Sequence, residues 1–589
     1  RTSVARGTTW ACFRRDLYTS RYSRSSASTL SLHGLLLCLV PLQLFSFSSS
    51  VEFSIICVKA DSKRAEMNLF GVFSVPDWIL LITTVLVSTY LYVARHRNYW
   101  KNQNVPHEKF SIFGHTRRIM SKTFHELDQE RYIKYGKVYG MFEGGKPSLF
   151  VADPELIKQI LVRDFLKLPN RRSVKFHNPL LDNLMSVVSY KRWKVIRSVS
   201  TPAFSSAKLN KMCSLIESCI DVTKRHLIDA AEKEQDLELG HFYGNYTLDV
   251  IARCAFGTTM DSHSDQTNDF VRMSKIITGG KKNLALVLTF VFPALARLLK
   301  LKLFNEESVM YYKDLSSTTM ETRRRTKTKQ DDFLQIMIDA QERNRTLDVS
   351  QGGEEDAVKF FDIDSKLTDE APLSSKTLSE EEALSQCMMF ILAGHGTTSS
   401  VIAFALYLLA LNPEAQNKLR KEVDACFKEN GPKPSMDVID KLQYLHGVVS
   451  EALRIFPPAS RLERETTEDY ILGNTGIKVP KGCVVAVPVW AIHHDPQYFP
   501  DPDSFKPERF SKDNVDSIPP YVYLPFGAGP RNCIGVRLGL RAVKMALFHS
   551  ICNVEFVRTA KTKVPLELFK GFGAISSSDI TVGVRKRTS

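Results

Sequence analysis

The stretch PFGAGPRNCIGVRLG, residues 525–539, sets one cysteine in a glycine-rich loop just before an apolar, helix-like run. Glycines 527, 529 and 535 admit backbone angles closed to other residues, so the chain can fold tightly around the Cys533 sulfur. Backbone N–H groups turned toward that sulfur, and a helix starting near Gly535, would favour its thiolate form. Such a thiolate suits the axial position of haem iron, its donor strength tuned by surrounding hydrogen bonds. Arg531, two residues earlier, is placed to pair with a haem carboxylate through a charge-assisted contact.

Other residue pairs carry a weaker signal alone. Glu451 and Arg454 are three apart on a helical pattern, a spacing common on any helix face. Trp193 and Arg197 are four apart on one face, and RLERE contains Arg464. AGHGTTSS, residues 393–400, puts small residues in the middle of a long helical run, where a threonine bonding back to the preceding turn can open a groove.

Taken together, these stretches resemble the cytochrome P450 family. Phe526, Gly529, Arg531, Cys533 and Gly535 match its F-x-x-G-x-R-x-C-x-G signature, whose thiolate ligation is a known case of haem chemistry. The resemblance implies haem b with Cys533 as axial ligand, and Trp193, Arg197, Arg464 and Arg531 at the propionates. Glu451, Arg454 and Arg509 (in PERF, 507–510) would form a structural network bracing the haem loop. Thr397 matches the family's oxygen-activating threonine, with Thr398 beside it. The family usually has Asp or Glu just before that threonine, and here Gly396 stands there. His395 is adjacent but about 100° away around the helix, which favours a core histidine.

The elements that must position these residues read as mostly helical. Helical patterns run over 205–235, 245–256, 379–411, 413–429, 437–456 and 535–552. The third opens on a capping box, Ser379 with Glu382, and extends about 33 residues, roughly 50 Å, to Asn412-Pro413. Short strand-like runs lie at 136–151, 470–488, 550–558 and 578–585. The expected fold is mainly α with small peripheral β-sheets, the P450 fold. Residues 344–378 are acidic and turn-rich and read as a surface loop. Residues 283–304 are apolar, broken by Pro293, and fit a membrane-dipping segment and ordinary helix packing equally.

The chain has 589 residues, 43% hydrophobic, with net charge +15. No basic run is interleaved with aromatics, which argues against nucleic acid. Eleven scattered cysteines without a C-x-x-C pair argue against a disulfide framework and for a reducing compartment. The Asn245 and Asn344 sequons then read as chance matches. Residues 1–66 are Ser- and Arg-rich and read as an upstream extension, with an organelle presequence as the alternative. Residues 67–100 read as one membrane anchor. Only Asp77 is charged between Leu69 and Ala94, and Arg95, Arg97 and Lys101 follow, which keeps the C-terminal side cytosolic. Residues 101–589 are the expected haem-binding catalytic domain.

The resemblance implies a monooxygenase of the endoplasmic reticulum membrane, similar to the microsomal xenobiotic-metabolising branch. It would insert one atom of dioxygen into lipophilic small molecules. No dinucleotide motif is present, so electrons would come from NADPH through a separate reductase, with cytochrome b5 a second candidate donor. Lys191, Arg192, Lys194, Arg537, Arg541 and Lys544 flank the haem segments and would make a basic docking face. Gly396 keeps a peroxide isomerase or peroxygenase open as an alternative, and a catalytically silent haem-binding membrane protein is a third. Residues 172–189, 271–300 and 457–462 are the expected pocket lining.

Overall fold

The computed structural model describes residues 67–69, 73–75, 77–111, 118, 122–143, 145–278, 285, 289, 293–342, 378–569, 574–577 and 579–587. The 1–66 extension and Asn344 lie outside these residues, as do nearly all of the 344–378 loop and much of 279–292. The chain divides into two compact units, Arg1–Ile79 and Leu80–Ser589.

In the first unit β1 (Met67–Leu69) and β2 (Phe73–Val75) form an antiparallel hairpin. Helix α1 runs over Asp77–Ala94, so the anchor helix begins later than its apolar composition suggests. Val75 precedes Pro76, and a residue before proline is disfavoured in the helical region. The 18 residues of α1 span about 27 Å, close to a bilayer core of about 30 Å. Most of its side chains are exposed.

The second unit continues with α2 (Phe124–Tyr135), β3 (Val138–Glu143), β4 (Lys146–Val151), α3 (Tyr190–Ser200), α4 (Ser206–Glu232), β5 (Asp236–Glu238) and α5 (Leu239–Phe256). Then come α6 (Glu306–Thr326), α7 (Phe333–Glu342), α8 (Glu380–Leu411), α9 (Pro413–Asn430) and α10 (Gln443–Ile455). β6 (Leu462–Glu465), β7 (Tyr470–Ile471), β8 (Lys478–Val479), β9 (Val484–Val487), α11 (Val536–Asn553), β10 (Val554–Val557) and β11 (Thr581–Lys586) follow. The larger sheet has order β3-β4-β9-β6 and a smaller one β10-β11-β5. Within the larger sheet Arg464 of β6 stands opposite Val485 of β9.

Helix α8 is the spine. Its capping box is formed, with Ser379 N donating to Glu382 at 2.8 Å and Glu382 N to the Ser379 hydroxyl at 3.2 Å. Every residue from Val401 to Ala410 is buried, so this half is enclosed on all sides. It is apolar enough to cross a membrane, but the fold encloses it as a core helix. Helices α5, α10 and α11 pack along it. Tyr246 ties α5 to α11 by donating to Ala542 O at 3.1 Å, and the Tyr243 and Ser550 hydroxyls meet at 2.7 Å.

Two boundaries differ from expectation. The 437–456 pattern is two helices, Met436–Asp440 and α10, because Glu422 of α9 accepts from Tyr444 N and Leu445 N at 2.8 Å each and starts α10 afresh. Helix α5 begins earlier, at Leu239, where Glu238 accepts from Gly240 N and His241 N. Asn245 is buried inside α5, which leaves that sequon inaccessible. The eight described cysteines are all free thiols.

Candidate active site

The Cys533 loop is built by two left-handed glycines, Gly527 (φ 76°) and Gly529 (φ 70°). A Cβ at Gly529 would lie 2.1 Å from Leu161 O, so only glycine fits there. The loop closes where Cys533 N donates to Phe526 O at 3.0 Å, and α11 starts three residues after the cysteine. The Cys533 side chain is exposed, yet burial among surrounding protein atoms pushes its thiol pKa up, against the Gly535 N–H, Arg197 and Arg171. A sulfur lining a hollow within the fold would show both. A bound metal would deprotonate the thiol outright.

Phe204 connects this loop to the spine. It lies 3.7 Å from a Cβ placed on Gly535 and stacks on Phe390 of α8 at 6.3 Å. One turn later α8 changes character. Ala393 is exposed in mid-helix and residues 394–398 are partly open, between buried Ile391 and Ser399. The Thr397 hydroxyl donates to Ala393 O, and that of Ser399 to His395 O (3.0 Å) and Gly396 O (3.2 Å). These back-bonds compete with the helix ladder at this point. A Cβ at Gly396 would meet nothing within 4 Å. His395 turns to α5, its Nδ1 3.1 Å from the Thr247 hydroxyl, and burial pulls its pKa to about 4. It is a core histidine.

Positive charge gathers at the loop. Arg531 donates to Pro169 O (2.9 Å), Met185 O (3.4 Å) and Val188 O (3.3 Å), and its guanidinium lies 4.4 Å over the Trp193 ring. Arg197 donates to Asn532 O (3.1 Å) and Asn532 Oδ1 (2.9 Å), fixing α3 to the loop. Leu462 of β6 packs on Gly527, and Arg464 follows on the same face of the strand. Arg171 donates to Arg531 O at 3.0 Å. Sequence reasoning missed Arg171 because it sits at the edge of a loop assigned to the pocket; the signal was an Arg-Arg pair inside KLPNRR.

No ion pair reaches Arg171, Arg464 or Arg531 among the described residues, and Arg464 Nε is buried without a hydrogen-bond partner. Burial and neighbouring guanidinium charges pull Arg464 down to about 9 and Arg531 to about 8. Arginines keep their protons under ordinary conditions, so these shifts report unbalanced positive charge. A planar group carrying two carboxylates and a metal that accepts a thiolate fits this donor set.

Beside the site, Arg454 donates to both Glu451 oxygens (2.8 and 2.9 Å), and Arg509 Nε reaches Glu451 at 3.2 Å. Arg454 also holds His493 O and Pro502 O, bracing the 500–510 segment. Three of the six cations expected on the docking face, Arg192, Arg541 and Lys544, are instead engaged in ion pairs. Arg541 and Lys544 are only 6% and 2% exposed and pair with Asp437 and Asp440, and Arg192 pairs with Glu382. Helix α11 turns these two cations inward because the short helix before α10 supplies acids there.

The sequence pattern described as Cytochrome P450 matches residues 105–579. The chain belongs to the cytochrome P450 family. It is 36% identical to Cytochrome P450 3A41 of Mus musculus over 510 residues, 85% of this chain and 95% of the relative. It is 36% identical to Cytochrome P450 3A9 of Rattus norvegicus over 512 residues (86% and 95%). With Cytochrome P450 3A7 of Homo sapiens it shares 34% over 526 residues (88% and 99%). This P450 is an oxidoreductase of the monooxygenase class, with a haem-thiolate cofactor typical of the family and electrons from NADPH through a reductase. The mainly helical fold with small sheets and an N-terminal apolar helix agrees with that membership.

Proposed function

We propose that this P450 is anchored in the endoplasmic reticulum membrane by α1, faces the cytosol, and oxidises lipophilic small molecules. In the proposed assignment Cys533 would supply the thiolate that holds haem, Phe526 and Gly535 would shape its loop, and Arg171, Arg197, Arg464, Arg531 and Trp193 would hold the haem carboxylates. Bound there, haem would supply the redox chemistry for putting one atom of dioxygen into a C–H bond and releasing the other as water, with two electrons and two protons. The observation that carries this reading is the uncompensated guanidinium group around the Cys533 loop. Thr397 and Thr398 border the opened turn of α8, where Thr397 can donate its proton away from Ala393 O toward the hollow. The Gly535 N–H and the nearby arginines stabilise negative charge on the sulfur. Lys191, Lys194 and Arg537 are the cations left to meet an acidic reductase domain, and cytochrome b5 would compete for the same surface.

Cys533→Ala should abolish the carbon-monoxide difference band diagnostic of thiolate-ligated haem; persistence of that band would refute the ligand assignment. The open space at Gly396 favours one second reading, a peroxide isomerase or peroxygenase. Turnover with organic peroxide and none with NADPH and reductase would select it. A haem spectrum with neither activity would select the silent haem-binding protein.

A further inference from the structure

Strand β6 turns Leu462 and Arg464 to one face and Glu463 and Glu465 to the other. The segment Asn170–Arg172 runs beside it, with Glu465 N donating to Asn170 O at 2.9 Å and Ser173 N to Glu465 Oε2 at 2.8 Å. Across this seam Arg172 and Glu463 form a bidentate ion pair, Nε to Oε2 at 2.7 Å and Nη2 to Oε1 at 2.8 Å. A further nitrogen of Arg172 reaches Glu143 Oε2 of β3 at 2.6 Å. Burial opposes charge on both partners, but it is outweighed for Arg172 by Glu143 and Glu463 and for Glu463 by Arg172 and Arg461. Arg172 is held well above its ordinary pKa and Glu463 well below.

Glu463 is fixed from its second side by Arg461 at 3.3 Å. That guanidinium is itself held by Asp128 of α2 (2.8 and 2.6 Å) and lies 4.7 Å over each of the Phe124 and Phe150 rings. The chain neighbours of the pair are Arg171 and Arg464. Both belong to the uncompensated guanidinium group, in which burial, and after it the charge of Arg171, lowers the pKa of Arg464 and of Arg531. Like charges on two adjacent segments push those segments apart. The Arg172–Glu463 pair spans the same two segments one residue away and opposes that force.

We propose that Glu463 and Arg172 are positioning residues for the haem edge, holding Arg171 and Arg464 at the spacing that two carboxylates require. The proposal rests on the haem reading above. Glu463→Gln keeps the size and removes the charge, and should speed haem transfer to apomyoglobin about 10- to 100-fold, the usual effect of losing an outer-shell partner. The propionate modes in the resonance Raman spectrum should shift with it. Glu463→Asp, which keeps the charge, should recover most of the retention. Asp332→Asn breaks the buried Arg323 pair joining α6 to α7 (Nη1 to Oδ1 2.7 Å), and should lower Tm without faster haem release. Equal release from the Gln and Asp variants, or wild-type release from Glu463→Gln while Arg171→Ala and Arg464→Ala lose haem quickly, overturns the positioning role and leaves the haem reading standing. Wild-type release from Arg464→Ala overturns the propionate assignment, and a wild-type chain that takes up no haem overturns both.

Discussion

At the scale of single residues, two glycines do opposite work. Gly529 is required by its φ of 70° and by Leu161 O, so Gly529→Ala should give a chain that retains helical circular dichroism but loads little haem. The φ alone costs roughly 1–3 kcal/mol. Gly396 is unconstrained. A Cβ there meets nothing within 4 Å, and glycine in mid-helix is less favourable than other residues by up to about 1 kcal/mol. Gly396→Glu should therefore be tolerated, with unchanged or higher Tm. It should also raise the fraction of NADPH electrons recovered in product if the absent carboxylate limits proton delivery. Product and hydrogen peroxide measured together against NADPH consumed would test this, and unchanged or poorer coupling would count against it.

At the scale of elements, the start of α8 carries two roles. Its capping box ends on Glu382, which also binds Arg192 of α3, so one carboxylate joins the spine to the helix bearing Trp193 and Arg197. Ser379→Ala should cost about 1 kcal/mol in urea unfolding. Glu382→Gln should cost more, because it removes the charged half of the ion pair that joins α8 to Arg192 of α3. The box and the length of α8 were legible because both are local, written in a run of some thirty residues. The split before α10 was not, since it depends on Glu422 of another helix. Nor was the inward turn of Arg541 and Lys544, because a helical period tells which residues share a face but not which acids that face meets. Arg464 could be picked out because RLERE matches the family's pattern. For Arg171 the sequence offered only the Arg-Arg pair in KLPNRR, and its place became clear once the fold brought Asn170–Arg172 alongside β6.

At the scale of the whole molecule, six imidazoles (His125, His263, His395, His446, His494 and His549) are pulled by burial to about 4. Between pH 6.5 and 4 the unfolded chain binds more protons than the folded one, so stability is whole above about 6.5 and lost as pH falls toward 4. For well-buried His494 this amounts to at most roughly 3 kcal/mol. Urea midpoints measured from pH 7.5 to 4.5 should fall, and His494→Gln should flatten part of that slope. The guanidinium group at the Cys533 loop has a consequence of the same kind. A newly made chain carries buried positive charge that a dianion would neutralise, so porphyrin capture should stabilise the folded chain beyond its empty form. Cells short of porphyrin should clear the protein quickly, and its abundance should follow pigment supply even at constant messenger level.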